Sequence, residues 1–198
     1  MARTGGIRTK GKVLDAAVRL FGTAGYSATS LDELAADVGI RKQTLLYYFA
    51  SKDELLTAAA LEAAAAVYGS LDGALKAHDP GGLDRLPVFI EAVDALAADR
   101  PEVFGLIREV ARAGPPLSDQ VATALRPLVD SAVGWLEKGM ADGVIRRQNP
   151  RVALLNIYSA VIGHLTEGSV HRALLDAQAR HCATAELVAF LRASLEPF

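Results

Sequence analysis

Cysteine is all but missing from this chain: Cys182 stands alone among 198 residues. One cysteine closes no internal disulfide, and no Cys–His spacing suits zinc. A reducing, cytoplasmic setting is therefore expected, with no metal and no other cofactor. Proline does not occur before Pro80, so nothing interrupts helix over the first 79 residues. Runs of β-branched residues are scarce while Ala and Leu dominate, which predicts an all-α protein. The N-terminus lacks the apolar core of a signal peptide, and no uninterrupted apolar run reads as long enough to span a membrane. Catalytic patterns are missing as well: there is no Ser–His–Asp order, no acidic pair and no Gly-rich phosphate loop. Glu102 and Glu109 read as ordinary charged positions, and no enzyme is expected. His164 and His171 stand about 10 Å apart along a helix, too far to share one metal ion directly. With His78 and His181, which read as loop residues, they are taken as structural or surface side chains.

Charge of one sign is not scarce but unevenly placed. The formal net charge is −2, which alone argues against a nucleic-acid partner. Residues 1–52 nevertheless hold eight Lys/Arg against four acids, while residues 53–198 hold 13 bases against 19 acids. A basic quarter on an acidic remainder points to one surface for phosphate and another for something else.

The basic quarter contains LDELAADVGIRKQTLLYYF, Leu31 to Phe49. Leu31, Leu34, Ala35 and Val38 recur at helical spacing. Gly39 then supplies a residue that accepts positive φ, as a sharp helix-to-helix turn demands. Ile40, Leu45 and Phe49 return to the core, leaving Arg41, Lys42, Gln43, Thr44, Tyr47 and Tyr48 outside. A helix-turn-helix results, whose second helix offers cations, an amide, a hydroxyl and phenols. The major groove of DNA is read by that inventory. The other reading is a helical interaction module whose helix-turn-helix binds protein.

Around this motif a first helix is predicted from about Ile7 to Ala24. Ser30 with Glu33 caps the second helix and Ser51 with Glu54 the fourth, which runs to about Ala77. His78 to Gly82 reads as a loop. Further helices are expected at about Leu83–Ala98, from Pro101 to Gly114, at about Ser118–Asp142 with a kink at Pro127, from Pro150 for about 25 residues, and at about Ala183–Leu195. The division follows: residues 1–52 as a three-helix head, residues 53–198 as a helical body, about nine helices in all.

The segments FGTAGYSATSLDELAADVGI, RKQTLLYYF and SKDELL, in this order and spacing, resemble the TetR family of transcriptional regulators. The resemblance is strongest over residues 8–56; beyond them it rests on helix number and length. It implies a dimeric DNA-binding regulator, a repressor released from a palindromic operator by a small, mainly apolar ligand. By resemblance the third helix enters the major groove. Lys42 and Gln43 then face base edges, and Thr44 a base or phosphate. Leu46 stands where the family often has tyrosine and can pack on a thymine methyl. Tyr47, Tyr48, Arg41 and Lys52 face the backbone, and Thr29 and Ser30 a phosphate at the second helix. Arg3, Arg8, Lys10 and Lys12 form an arm within reach of the minor groove.

The resemblance also places a ligand pocket among the fourth to eighth helices. Its expected lining is Tyr68, Leu71, Phe89, Val93, Phe104, Ile107, Arg108, Trp135 and Tyr158, with Val67, Leu136, Asn156 and His164 as further candidates. The last two helices are expected to make the homodimer through Leu155, Ser159, Ile162, Gly163, Leu187, Phe190 and Leu191, with Val152, Ala160 and Gly168 nearby.

Overall fold

The computed structural model describes residues 2–77, 81–166 and 173–197, and every regular element among them is helical. The α-helices are α1 (Ala2–Thr23), α2 (Leu31–Val38), α3 (Lys42–Tyr48), α4 (Lys52–Ala77), α5 (Arg85–Asp99), α6 (Pro101–Ala113), α7 (Leu117–Ala141), α8 (Pro150–Thr166) and α9 (Ala177–Leu195), with a 3₁₀ turn at Gly82–Asp84. The all-α fold with an N-terminal helix-turn-helix is the one the composition and spacing predict.

Local chemistry sets most boundaries. Ser30 accepts a bond from the Glu33 N–H at 3.1 Å, and Glu33 accepts one from the Ser30 N–H at 2.6 Å, a complete capping box. Ser30 thereby holds the Glu33 carboxyl below its usual range, through its backbone N–H first and its hydroxyl second. Ser51 caps α4 in the same way at 3.0 Å, but Glu54 reaches back to the Ala50 N–H, one residue further than the usual box. Gly39 ends α2 at φ 75°, the left-handed conformation expected of it. Asn149 accepts from the N–H groups of Arg151 and Val152, with Pro150 at the first helical position.

The chain forms two compact units. The first comprises residues 1–66 and 99–125, so α6 belongs with the head helices although 32 residues of the other unit intervene in sequence. Its core contains Val13, Ala17 and Phe21 of α1, Leu34 of α2, Leu45 and Phe49 of α3 and its end, Leu55 and Ala59 of α4, and Val103 and Leu106 of α6. The backbones of α1 and α6 meet at two glycines. A Cβ on Gly22 would lie 2.0 Å from the Glu102 carbonyl oxygen, and one on Gly105 would lie 1.8 Å from that of Gly22. The second unit, residues 67–98 and 126–198, buries Leu71, Leu86, Ile90, Val93, Leu136, Ile145, Ile157, Val161, Leu191 and Leu195.

Several expectations are corrected. α1 begins at Ala2 and not at about Ile7, so Arg3 lies on the same helix as Arg8, Lys10 and Lys12. Helix propagation there outweighs the entropy of Gly5 and Gly6. α9 begins at Ala177, which places His181 inside a helix. α8 is described to Thr166; Gly168 and His171 lie outside the described residues, as do His78, Asp79 and Pro80. α4, at 26 residues with an 18-residue window of mean hydropathy 1.2, is long and apolar enough to cross a membrane by length and composition. The charges at Glu62, Asp72 and Lys76 hid that from a reading of uninterrupted runs. Its Leu55, Leu56, Ala59, Ala60, Ala63 and Ala64 are buried in the first unit.

The glycine contact is testable. Gly105→Ala is expected to destabilise by about 2–3 kcal/mol, because the obstruction is backbone and cannot rotate away. Gly11→Ala, also in α1 but with nothing within 4 Å of the new methyl, is expected to stabilise by up to about 1 kcal/mol. Paired urea melts of the two variants check this.

Candidate nucleic-acid interface

α3 has only seven residues, too few to hold a helix in water unaided. Leu45, fully buried, and Phe49, 2% exposed, pin it to the head. With that face fixed inward, Arg41, Lys42, Gln43, Thr44, Leu46 and Tyr47 are exposed and Tyr48 is half-buried. Tyr47 is 83% exposed, an unusual position for a large aromatic. Its ring meets that of Tyr48 edge to face at 5.2 Å. Arg41 occupies the N-cap with no side-chain cap bond, as a guanidinium in place of a hydroxyl dictates. Lys42 ion-pairs with Asp32 of α2 at 2.8 Å. That pair is exposed and worth little to stability, but it holds the ammonium beside the outward row of α3.

A second cluster lies at the start of α4. The Lys52 ammonium stands 4.0 Å from the centroid of the Tyr26 ring, a cation–π contact. The Tyr26 hydroxyl donates to the Asp53 carboxylate, its ring packs on Phe21 at 5.5 Å, and its backbone N–H donates to Glu109 of α6 at 3.3 Å. Burial first, then the bond to Asp53 and its charge, push the Tyr26 phenol up to about 12. Glu109 is itself buried and also accepts from Arg112 at 3.0 Å. It is thus no ordinary charged position. A lone glutamate in sequence carries no sign of the distant N–H it serves, though its place on the apolar side of an amphipathic helix does.

The two α2 residues expected at phosphate part company. Ser30 is exposed, but Thr29 is 3% exposed, and its hydroxyl donates to the Gly25 carbonyl at 2.9 Å. Thr29 closes the α1–α2 loop, its hydroxyl turned to the protein's own backbone.

The expected pocket residues fall in both units. Phe104, Ile107 and Arg108 belong to the first unit, where Phe104 is core and Arg108 is exposed. In the second unit Leu71 and Val93 are buried in the core and Phe89 is half-buried. Trp135 is half-buried, and its indole N–H donates to the Gly82 carbonyl at 3.1 Å, a tie between α7 and the 3₁₀ turn. Of the further candidates, Asn156 is exposed and His164 lies 3.4 Å from the Thr184 hydroxyl. The second unit does contain a cavity of about 390 Å³. Tyr68, Asp72, Leu75 and Lys76 of α4, Arg85 of α5, and Pro127, Leu128 and Ser131 of α7 line it. Of the expected residues only Tyr68 is on its wall. Pro127, a proline inside a helix, was the one sequence signal near it.

α8 is apolar on both faces. Ala153, Ile157 and Val161 are buried, while Val152, Leu155 (58% exposed) and Tyr158 lie on the opposite side. Tyr158, expected in a pocket, thus lies on the exposed side of α8. On α9, Phe190 is 65% exposed and its neighbour Leu191 is core. Ser159 is exposed, and Ile162, Gly163 and Leu187 are half-buried.

Comparison with known proteins follows this geometry. The family described as bacterial regulatory proteins, tetR family, matches residues 13–59. The chain is 44% identical over 46 residues to the biofilm operon icaADBC HTH-type negative transcriptional regulator IcaR of Staphylococcus aureus (strain Newman). That match covers 23% of this chain and only a quarter (25%) of the relative's length. It is 28% identical over 153 residues to the HTH-type transcriptional regulator RutR of Escherichia coli (strain K12), covering 68% of this chain and 70% of that one. Among solved structures, the transcriptional regulator FadR from Bacillus subtilis in complex with stearoyl-CoA superposes with a TM-score of 0.77 at 18% identity, over 92% of this chain and 97% of that one. At that identity the likeness concerns the fold.

Tyr26 offers a direct check on the cluster at α4. Its neutral phenol is favoured by folding, so its contribution to stability is present below about pH 10 and is lost as pH rises through about 12. Spectrophotometric titration of the five tyrosines is expected to show one ionising near 12, absent in Tyr26→Phe. A Tyr26→Phe curve that retains the late step would refute the assignment.

Proposed function

We propose that this chain, which belongs to the TetR family through the head at residues 13–59, is a dimeric, sequence-specific DNA-binding regulator whose DNA affinity is set by a small molecule bound in its body. The observation that carries this reading is the outward row on α3. A helix pinned by Leu45 and Phe49 exposes Lys42, Gln43, Thr44, Leu46 and Tyr47 together, with Arg41 at its start. Residues 1–52 act as the DNA-binding part and residues 53–198 as the part that takes ligand and partner subunit.

The roles follow from side-chain chemistry. Lys42 donates to guanine O6 or N7 and Gln43 pairs with adenine, while Leu46 packs on a thymine methyl. Arg41, Tyr47 and Lys52 meet phosphates and fix the register without carrying sequence information. Lys52 is held for this by the Tyr26 ring beneath it. Ser30 presents its exposed position at the α2 N-terminus. The exposed apolar side of α8, Val152, Leu155 and Tyr158, with Phe190 of α9, pairs with the same surface of a second copy. Two heads about one helical turn apart then meet a palindromic operator. The direction of regulation is repression: ligand favours a conformation with mis-spaced heads and lowers operator affinity. The setting is the cytoplasm. These exposed α3 side chains suit a groove of phosphates and base edges better than an apolar protein surface, so a protein-binding role for the helix-turn-helix is the weaker reading.

Selection of bound duplexes from a random library, followed by salt titration of the winner, tests the reading. A palindromic winner with a steep salt slope is expected; no enrichment would sink it. On that operator, Gln43→Ala is expected to cost about 1–3 kcal/mol and relax one base position. Lys52→Ala is expected to lower the salt slope by about one per head, with no loss of sequence preference. Asp32→Asn releases Lys42 from its ion pair and is expected to raise affinity for any duplex. Leu155→Asp with Phe190→Asp is expected to yield a monomer by sedimentation, with operator affinity lost and the helical signal kept.

A further inference from the structure

Glu109 is a buried carboxylate that the outward row of α3 does not use. Its side chain is 10% exposed, and its two oxygens have separate partners. Oε1 accepts from Arg112 at 3.0 Å and Oε2 from the Tyr26 backbone N–H at 3.3 Å. A carboxylate is costly to bury unless its oxygens are bonded. What it supplies here, and an apolar side chain cannot, is an acceptor for the α1–α2 loop. Its reach depends on the glycine contact. Gly105 and Glu109 are four residues apart on α6 and so share a face. Gly105 lets that face meet Gly22 backbone to backbone, and a Cβ on Gly25 would lie 3.6 Å from Glu109 Oε1.

The loop held in this way carries residues that belong to the DNA-facing side. Thr29 closes it on itself, its N–H donating to the Tyr26 carbonyl at 3.3 Å and its hydroxyl to the Gly25 carbonyl at 2.9 Å. Tyr26 places its ring under the Lys52 ammonium at 4.0 Å, and Ser30 follows as the N-cap of α2. A binding group keeps its geometry through the bonds behind it. We propose that Glu109 is a positioning residue for DNA binding: from α6 it fixes the Tyr26 backbone, and through the Tyr26 ring it sets where the Lys52 ammonium meets phosphate. The inference rests on the reading of Lys52 as a phosphate contact and adds a residue of α6 on which that contact depends.

Binding of the full chain to a mixed-sequence DNA duplex across a salt series tests this, at a temperature below the melt of every variant. Phosphate contacts act on any duplex, so the test does not wait on an operator. Glu109→Ala is expected to weaken binding about three- to tenfold and to lower the salt slope by up to about one per head. Glu109→Gln, whose amide carbonyl still accepts the Tyr26 N–H, is expected to stay within about threefold of the parent. Arg112→Ala removes only the ion pair and is expected to leave the slope unchanged. In a Lys52→Ala background, Glu109→Ala is expected to cost less than about twofold more, because both changes remove one contact. A merely structural role would give additive losses. Spectrophotometric titration follows the link without DNA: in Glu109→Ala the late tyrosine step at about 12 is expected to fall toward 10, and in Glu109→Gln to remain. Additive losses, a Gln variant as weak as the Ala variant, an Arg112→Ala loss equal to that of Glu109→Ala, or a late step unmoved in Glu109→Ala would each overturn the proposal. An unchanged slope in Lys52→Ala removes the phosphate reading of Lys52 and the proposal with it. A lowered slope in Lys52→Ala beside an unchanged one in Glu109→Ala overturns the proposal alone.

Discussion

The burial of Leu45 and Phe49 is the constraint on which the head's outward chemistry depends. A helix of seven residues has almost no intrinsic stability, so α3 exists because two apolar side chains four positions apart are held in the core. That anchoring fixes rotation as well as existence. Once Leu45 faces inward, the 3.6-residue period turns Gln43, Leu46 and Tyr47 away from the core, and Lys42 is exposed at the helix's first position. With Leu45 and Phe49 both buried, α3 has a single register in which its polar row is presented.

Around α3 the head is held by polar bonds of unusual reach. Tyr26 engages α4 through Asp53 and Lys52 and engages α6 through Glu109. Each of those partners does other work: Asp53 lies in the first turn of α4, Lys52 keeps its ammonium partly open to solvent, and Glu109 also accepts from Arg112. The surface ion pairs differ in kind. Lys42–Asp32 and Arg19–Asp37 are exposed, and such pairs orient side chains more than they stabilise the fold.

The sequence made some of this legible because the signals are local. Capping residues, Gly39 at its turn and the alternation of Leu45 with Lys42 are written within four residues of where they act. What escaped it is non-local or lacks contrast. Glu109 serves an N–H 83 residues away, and only its place on the apolar side of an amphipathic helix hints at a buried partner. Thr29 looks like a helix-start hydroxyl, but the carbonyl it meets belongs to Gly25. α8 and α9 defeat periodicity for another reason: with apolar residues on both faces of α8, spacing alone cannot say which face is inside. Leu191 and Phe190, adjacent in sequence, fall on opposite sides of that decision. The cavity wall was missed because it recruits Asp72, Lys76 and Arg85, residues that read as solvated when seen singly.

The glycine pair has a consequence for how this protein can be recombined. Because α6 lies against α1 with no side chain between Gly22 and Gly105, the first unit is assembled from two stretches of the chain separated by 32 residues. A chimera that joins residues 1–66 to the remainder of a relative would bring a foreign sixth helix against Gly22. Unless that helix has a glycine in the facing position, the graft must separate the two backbones and draw Glu109's counterpart away from Tyr26. Exchanging the head by cutting after residue 66 is therefore constrained at the contact of α1 with α6, and the workable donor segment is discontinuous.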